Sequence, residues 1–434
     1  MTNRFTNYIL LGVWESPGYP SSLSISKIFE VCRQNRNTHI LIDCSKESQL
    51  FDSELWQSPD LWIRSVERTV KHNYVHNNRV DVITGNYKLI PEEPIPDDTT
   101  TAAHIALQFQ KKENKLKVKN GHPPITLPVR HGPFSYLIKQ NFFDTVEPWP
   151  TYFLVWNGSK VAKSALTKLT RFPSNVLSNL FFVKVRVAKP HRMLLLDQLC
   201  KYDYLMERNL WTLIDPNNEA DKILADVGGK HFPKGQPVQD PVLDANGGGN
   251  LYEAPPPGYD ACLIDVVTET DIASMFITEK TVWPIVYMKP FMIHGARYIN
   301  HNLQKYGFKL YNELIDYTFD TIESPRERTV ALAAELHRLS ELELDLNAVY
   351  TMLQPTIEHN LKVYLNMCFD DPAMPGLVKK FANDVVQQQL LISPLIDAQC
   401  GTWVTYTDRN GGNGEIIDVV RSNPYLRDVM GGQQ

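Results

Sequence analysis

Short apolar runs separated by stretches of helical spacing set the rhythm of the first part of this chain. Tyr8–Trp14 (YILLGVW) is a continuous apolar run of the kind buried in a parallel sheet, and it ends in the turn cluster Glu15–Pro20. A helix over Ser24–Cys32 follows, then a second strand over His39–Cys44. Trp62–His72 has helical period, and Arg79–Thr84 is a third strand closed by Gly85 and Asn86. Residues 91–101, rich in proline and acid, are expected as loop. Tyr152–Trp156, before Asn157 and Gly158, is expected as a further strand. Strands alternating with helical patterns predict a parallel sheet with crossover helices.

A second series of the same kind starts near Leu180. Phe181–Arg186 is a strand, Ala188–His191 a turn, and Arg192–Leu199 a helix with an apolar stripe. Residues 215–258 have a loop-like pattern that includes Gly247–Gly249 and Pro255–Pro257, the marks of a lid, an acceptor loop or an insertion. Ala261–Val267 is the next strand. Ser324, Pro325 and Glu327 match a capping box with proline at the first helical position, and that helix runs to about Leu339. From Leu344 to Leu391 the pattern is mainly helical, with breaks expected at Pro355 and Pro372. The domains expected are 1–175, 176–342 with the insertion 215–258, and a helical segment 343–434.

Length supports more than one domain, because 434 residues exceed the size at which a single core stops growing. No apolar run approaches a membrane span, and Met1–Tyr8 lacks the basic-then-apolar order of a secretion signal. The six cysteines, Cys32, Cys44, Cys200, Cys262, Cys368 and Cys400, are scattered without a C-x-x-C pair. That predicts a reducing, cytoplasmic setting rather than a zinc or disulfide framework. No repeats, P-loop or G-x-G-x-x-G occur.

Charge changes the picture more than composition does. Between Lys111 and Lys201, sixteen Lys or Arg face four carboxylates, a local balance of +12 in a chain of net charge −5, so the remainder sums to −17. Such asymmetry suggests a polyanion partner. Lys111, Lys112, Lys115, Lys117 and Lys119 alternate around Leu116 and Val118, and Lys160, Lys163, Lys168 and Arg171 follow in a Ser/Thr-rich stretch. Edge lysines that block aggregation are the alternative.

The densest chemistry lies in Met275–Gly295 (MFITEKTVWPIVYMKPFMIHG). Thr278 is a suitable N-cap, which places Glu279 and Lys280 in the first turn of a helix. In an α/β sheet that turn faces the crevice at the carboxyl ends of the strands. A helix N-terminus carrying a lysine suits a phosphate, and the nearby carboxylate suits a ribose diol. A capped surface helix with an adjacent charge pair is the plainer alternative.

This segment resembles the donor-binding motif of the α1,3-fucosyltransferase-like glycosyltransferases. It is still more similar to a group of bacteriophage glycosyltransferase-like proteins. The residues that carry the likeness are Thr278–Thr281 with Pro284 and Ile285, Lys289–Phe291 with Gly295, and Leu303 with Gly307 and Phe308. Asp316–Ile322, Arg326–Arg328 and, more weakly, Lys189–Leu199 extend it, so that it covers roughly Phe181–Leu339. Thr318 stands where the group has Ser, and the fucosyltransferase "E-N-S" is not recognisable in Val267–Thr270.

The resemblance implies two Rossmann-like domains in tandem facing a cleft (GT-B), with C-terminal helices. It implies a hexosyl- or pentosyltransferase that takes a nucleotide-sugar, UDP-sugar or GDP-sugar, on its second domain and a hydroxyl acceptor on its first. Lys280, Arg192 and Arg186 are the cations expected to meet the departing diphosphate. Thr278 and Glu279 complete the donor set, and His294 is expected to touch the base or diphosphate or else to be structural. Glu15 is the expected catalytic base, with Asp43 the second candidate. No D-x-D pair stands in a suitable context, so no obligatory metal is expected. The phage likeness and the basic block together imply duplex DNA carrying a hydroxymethylated or already modified base. A glycan or protein acceptor is an alternative, and so is a non-catalytic nucleotide- or sugar-binding viral structural protein.

Overall fold

The computed structural model describes residues 5–12, 25–44, 59–84, 141–149, 151, 154–155, 158–169, 176–202, 204–214, 219–231, 255–270, 272, 275, 277–369, 371, 375–387 and 414–431. These form a mixed α/β protein with two parallel four-stranded sheets. The chain divides into two compact units: 1–152 with 373–410, and 153–372 with 411–434. The first boundary therefore falls earlier than the expected 175, and the C-terminal segment is shared between the units rather than standing apart. Among the described residues no helix is long and apolar enough to cross a membrane.

The first unit is built on β1 (Asn7–Gly12), β2 (Thr38–Cys44), β3 (Arg79–Thr84) and β4 (Thr145–Pro148), hydrogen-bonded in that order and all parallel. Between the strands run α1 (Ile25–Gln34) and α2 (Pro59–Val75), which pack on each other. Leu10, Leu11, Ile40, Leu41, Ile42, Val80 and Val82 are buried, as near-continuous apolar strands require. β4 replaces the strand expected at Tyr152–Trp156. There Leu154 and Val155 sit in a helical turn, and the pairing edge of β3 is taken by Thr145–Pro148 instead.

The second unit starts with α3 (Gly158–Lys168). Its sheet has the order β6-β5-β7-β8, all parallel: β5 (Asn179–Val187), β6 (Leu210–Ile214), β7 (Cys262–Thr268) and β8 (Phe291–His294). α4 (Pro190–Cys200) connects β5 to β6, α5 (Ala220–Asp226) follows β6, and α6 (Glu279–Val286) connects β7 to β8. Thus 215–258 is not wholly loop, since α5 lies in it.

After β8 come α7 (Ile299–Leu303), α8 (Pro325–Ser340) and α9 (Leu346–Phe369). The Ser324 hydroxyl accepts from the Glu327 N–H, as the capping box predicts. α9 runs through Pro355, where a break was expected. Proline inside a helix costs about 3 kcal/mol through its missing N–H and its clash with the preceding turn. Leu353, Ile357, Leu361 and Leu365 are all buried along one side of α9. Each such side chain contributes about 1.5–3 kcal/mol, which outweighs the kink.

Alternation along β7 assigns the helices to faces. Asp265 bonds Tyr259, whose ring meets Trp283 of α6. On the other face, His294 of β8 reaches Thr329 of α8, which packs on α4. Gly158 is where α3 meets α6: a Cβ there would lie 2.4 Å from Cγ2 of Val282.

Candidate functional site

The order β6-β5-β7-β8 has a consequence at one edge of the sheet. From β5 the chain steps to β6 on one side, then returns across β5 to β7 on the other. The connections leaving β5 and β7 diverge, and in an open α/β sheet the carboxyl ends of two such strands are the usual ligand position. Val187 ends β5, Thr268 ends β7 and His294 ends β8, so the residues just after them line this edge.

Glu269 is the hub of that edge. Its N–H bonds the His294 carbonyl, which extends the β7–β8 ladder by one step. Its own carbonyl accepts from Arg192 Nη2 and from His191 Nε2, each at 3.0 Å. Its carboxylate is fully buried and accepts three bonds: Oε1 from the Thr278 N–H (2.9 Å) and the Thr281 hydroxyl (2.9 Å), and Oε2 from the Thr278 hydroxyl (2.7 Å). A buried carboxylate needs such donors to offset its lost hydration.

Thr278 caps α6 as the sequence predicts, its hydroxyl oxygen accepting from the Lys280 N–H. Glu279 and Lys280 lie in the first turn. The Lys280 ammonium donates to the hydroxyls of Thr270 (2.8 Å) and Thr278 (3.1 Å). It stands 3.8 Å from a carboxylate oxygen of Glu269 and 3.8 Å from one of Glu279, with its side chain 13% exposed. Lys189, the residue before α4, donates to the Thr270 carbonyl at 3.0 Å.

Arg192 faces inward. It is 2% exposed, and its guanidinium donates to the carbonyls of Val187, Thr268 and Glu269, each at 3.0 Å. These carbonyls lie at the ends of β5 and β7, and Arg192 ties the two strand ends together. A phosphate role would require those bonds to be given up.

His294 is buried against α8 and α4, its ring 5.4 Å from that of His191. Burial, then Arg328 and Arg192, push the His294 imidazole down to about 3. Burial, then His294 and Arg192, likewise hold His191 well below its usual range, so both rings are neutral. A second buried charge lies deeper in β7. Burial pushes Asp265 up to about 6, against the hydrogen bond from the Tyr259 hydroxyl and the nearby Lys184 and Lys289.

Several other residues of the motif-bearing region hold the scaffold. Lys289 is buried at the amino ends of the strands, where its ammonium donates to the carbonyls of Asp260 and Cys262. Asp316 caps the short turn Tyr317–Thr321 by accepting from Thr318. Asp320 is buried and accepts from the N–H groups and side chains of Asn300 and His301 at the start of α7. Arg328 donates to the carbonyls of Gly295, Ile322, Glu323 and Ile272. Gly307 has φ +93°, a left-handed turn that favours glycine.

The remaining expected residues are placed in part. Asp43 lies at the carboxyl end of β2, opposite Gly12 and Ile83, and is placed by its backbone, as is Arg186 in β5. Lys160 and Lys168 lie within α3, and Lys163 on the same helix is exposed. Glu15, Lys111, Lys112, Lys115, Lys117, Lys119 and Arg171 fall outside the described residues. In the first unit a separate cluster, the buried His39 and Asp81 with the half-buried Arg79, sits at the amino ends of β2 and β3, away from their carboxyl edge. Asp81 accepts there from His39 (2.7 Å) and Arg79 (2.6 Å).

Glu269 is the residue that motif reading passed over. Its signal was positional: an acidic residue directly after a buried strand, nine residues before the N-cap that its carboxylate holds. Comparison of the chain with protein-family models, curated proteins and solved structures found no match.

Proposed function

We propose that the protein is a metal-independent glycosyltransferase of the two-domain GT-B kind. It moves a hexose or pentose from a nucleoside-diphosphate sugar, UDP-sugar favoured over GDP-sugar, to an acceptor hydroxyl. The observation that carries this reading is the gathering of Glu269, Thr278, Glu279 and Lys280 at the carboxyl edge of β5 and β7, at the start of a capped helix. In this reading the second unit takes the donor and the first takes the acceptor base, while Lys160, Lys163 and Lys168 of α3, which belong to the second unit, add phosphate contacts.

The acceptor oxygen bonds to the anomeric carbon while the bond from that carbon to the diphosphate oxygen breaks. The hydroxyl proton passes to a carboxylate, Glu15 or, as second choice, Asp43. Lys280 offsets the charge that grows on the departing diphosphate, and Glu279 takes the ribose diol. The part of the +12 segment that the strand-end network does not use, Lys111–Lys119 with Lys160, Lys163, Lys168 and Arg171, supports duplex DNA with a modified base as acceptor, as in a phage DNA-modification enzyme acting in the host cytoplasm. Glycan and protein acceptors are the second reading, and a non-catalytic nucleotide-binding viral structural protein is the third.

The test is thermal unfolding with UDP and GDP at millimolar concentration. A ligand that binds only the folded state raises the melting temperature by mass action. One of the two should do so, and Lys280→Ala, still folded, should lose most of the shift. Absence of any shift with either nucleotide overturns the reading.

A further inference from the structure

The N-terminus of α6 already holds an anion, and that anion belongs to the chain. A helix start leaves its first N–H groups without internal partners, which is why phosphates settle there. Here the Thr278 N–H goes to the Glu269 carboxylate, the Lys280 N–H to the Thr278 hydroxyl oxygen and the Thr281 N–H to the Thr278 carbonyl. The Thr278 and Thr281 hydroxyls also donate to Glu269. One buried carboxylate thus occupies, with three donors, the place a phosphate would take, and the Lys280 ammonium stands 3.8 Å from it.

We propose that Glu269 is a specificity-determining residue of the donor site, excluding free phosphate and pyrophosphate by standing in for them at the start of α6. This rests on the reading of that edge as the diphosphate site. The consequence is that Lys280, rather than the helix N–H groups, meets the diphosphate. Its charge is shared with two carboxylates, Glu269 and Glu279. A small inorganic anion finds the Thr278 N–H and hydroxyl already bonded to Glu269 and the Lys280 cation shielded by two carboxylates. A nucleotide adds its base and ribose contacts and so binds where pyrophosphate does not. An acidic residue that merely propped up the helix would, on removal, weaken every ligand. A resident anion, on removal, strengthens the binding of its competitor.

Inorganic pyrophosphate and UDP are titrated calorimetrically into the wild type, Glu269→Gln and the double variant Glu269→Gln/Lys280→Ala. Removing one negative charge beside Lys280 should tighten pyrophosphate binding by at least about fivefold. The added Lys280→Ala should abolish that gain, and UDP should gain less than pyrophosphate. A folded Glu269→Gln that binds pyrophosphate no more tightly than the wild type overturns the proposal. If the variant does not fold, a crystal structure of the wild type with UDP decides. Glu269 keeping the Thr278 N–H supports the proposal, and a diphosphate oxygen on that N–H overturns it. The two readings fail separately: UDP binding through Lys280 without a pyrophosphate gain sinks only the role of Glu269. A pyrophosphate gain in a protein whose wild type ignores UDP and GDP sinks the glycosyltransferase and with it the donor-site role, and leaves Glu269 only as the resident anion at the start of α6.

Discussion

The Nε2 of His294 lies 2.8 Å from the hydroxyl oxygen of Thr329, and that hydroxyl already donates to the Pro325 carbonyl. The imidazole must therefore be the donor, which fixes the neutral tautomer with its proton on Nε2. Nδ1 is left as a buried acceptor with no partner among the described residues. A proton added there would be a buried positive charge near Arg328 and Arg192; burial, then these two guanidiniums, depress the pKa.

Stability should fall on acidification for this reason. The unfolded chain takes up a proton near 6.5 and the folded one only near 3, so between these values the unfolded state binds more protons. The His294 contribution is complete above 6.5 and declines as the pH drops toward 3, by up to about 1.4 kcal/mol per pH unit inside the window. Thermal unfolding of the wild type and His294→Gln from pH 7 to pH 4 checks this. The wild type should lose stability relative to the variant, and parallel curves would refute the assignment.

Asp265 should act in the opposite sense. Its folded pKa of about 6 lies above the ordinary value of 3.8, so the folded state binds more protons between them. Its contribution is present below 3.8 and lost as the pH rises through 6. Compared with Asp265→Asn, the wild type should gain stability as the pH is lowered through that range. A constant difference would show that Asp265 stays ionised throughout.

Arg192 and Lys280 should separate in their effects. Arg192→Leu strips the donor from three carbonyls at the ends of β5 and β7 and should destabilise by on the order of 3 kcal/mol. Lys280→Ala removes two hydroxyl contacts and a cation shared by two carboxylates, and should cost about 1–2 kcal/mol, less than Arg192→Leu. Denaturant titration gives both values. An Arg192→Leu protein of wild-type stability that no longer binds nucleotide would return Arg192 to the diphosphate.

For catalysis, Glu15→Gln keeps shape and removes the base. Turnover should fall on the order of 10²-fold or more with donor affinity little changed. Asp43→Asn is the paired measurement. If it abolishes turnover and Glu15→Gln does not, the two roles are exchanged.

For the acceptor, binding to duplex DNA should weaken steeply with salt. Converting Lys115, Lys117, Lys163 and Lys168 to Glu should abolish it and spare nucleotide binding. Each phosphate contact removed should lower the log–log salt slope by about 0.9. A slope unchanged in the fourfold variant directs the search to glycans and proteins.

Much of the second unit is legible in the chain. β5 and β7, the Thr278 cap and the Ser324 capping box all follow from apolar runs and cap chemistry, which act over a few residues. β6 (LWTLI) and β4 (TVEP) were not legible. Both are short, and β4 ends in proline, so only pairing with a neighbouring strand identifies them. A break at Pro355 is what the local penalty of proline predicts, and the burial along α9 that overrides it is not visible in the sequence.

The candidate site divides along the same line. Sequence alone placed Thr278, Glu279 and Lys280 at a helix start after a strand, because capping is local. Only the tertiary structure decided that the β6-β5-β7-β8 order makes the connections diverge beside them. Only it could turn Arg192 inward onto strand-end carbonyls, since a guanidinium at a strand-to-helix turn suits carbonyls and phosphates equally. And only it could bring the Glu269 carboxylate to the start of α6. Nothing within nine residues of chain fixes that distance; the pairing of β7 with β5 and β8 and the packing of α6 on the sheet do.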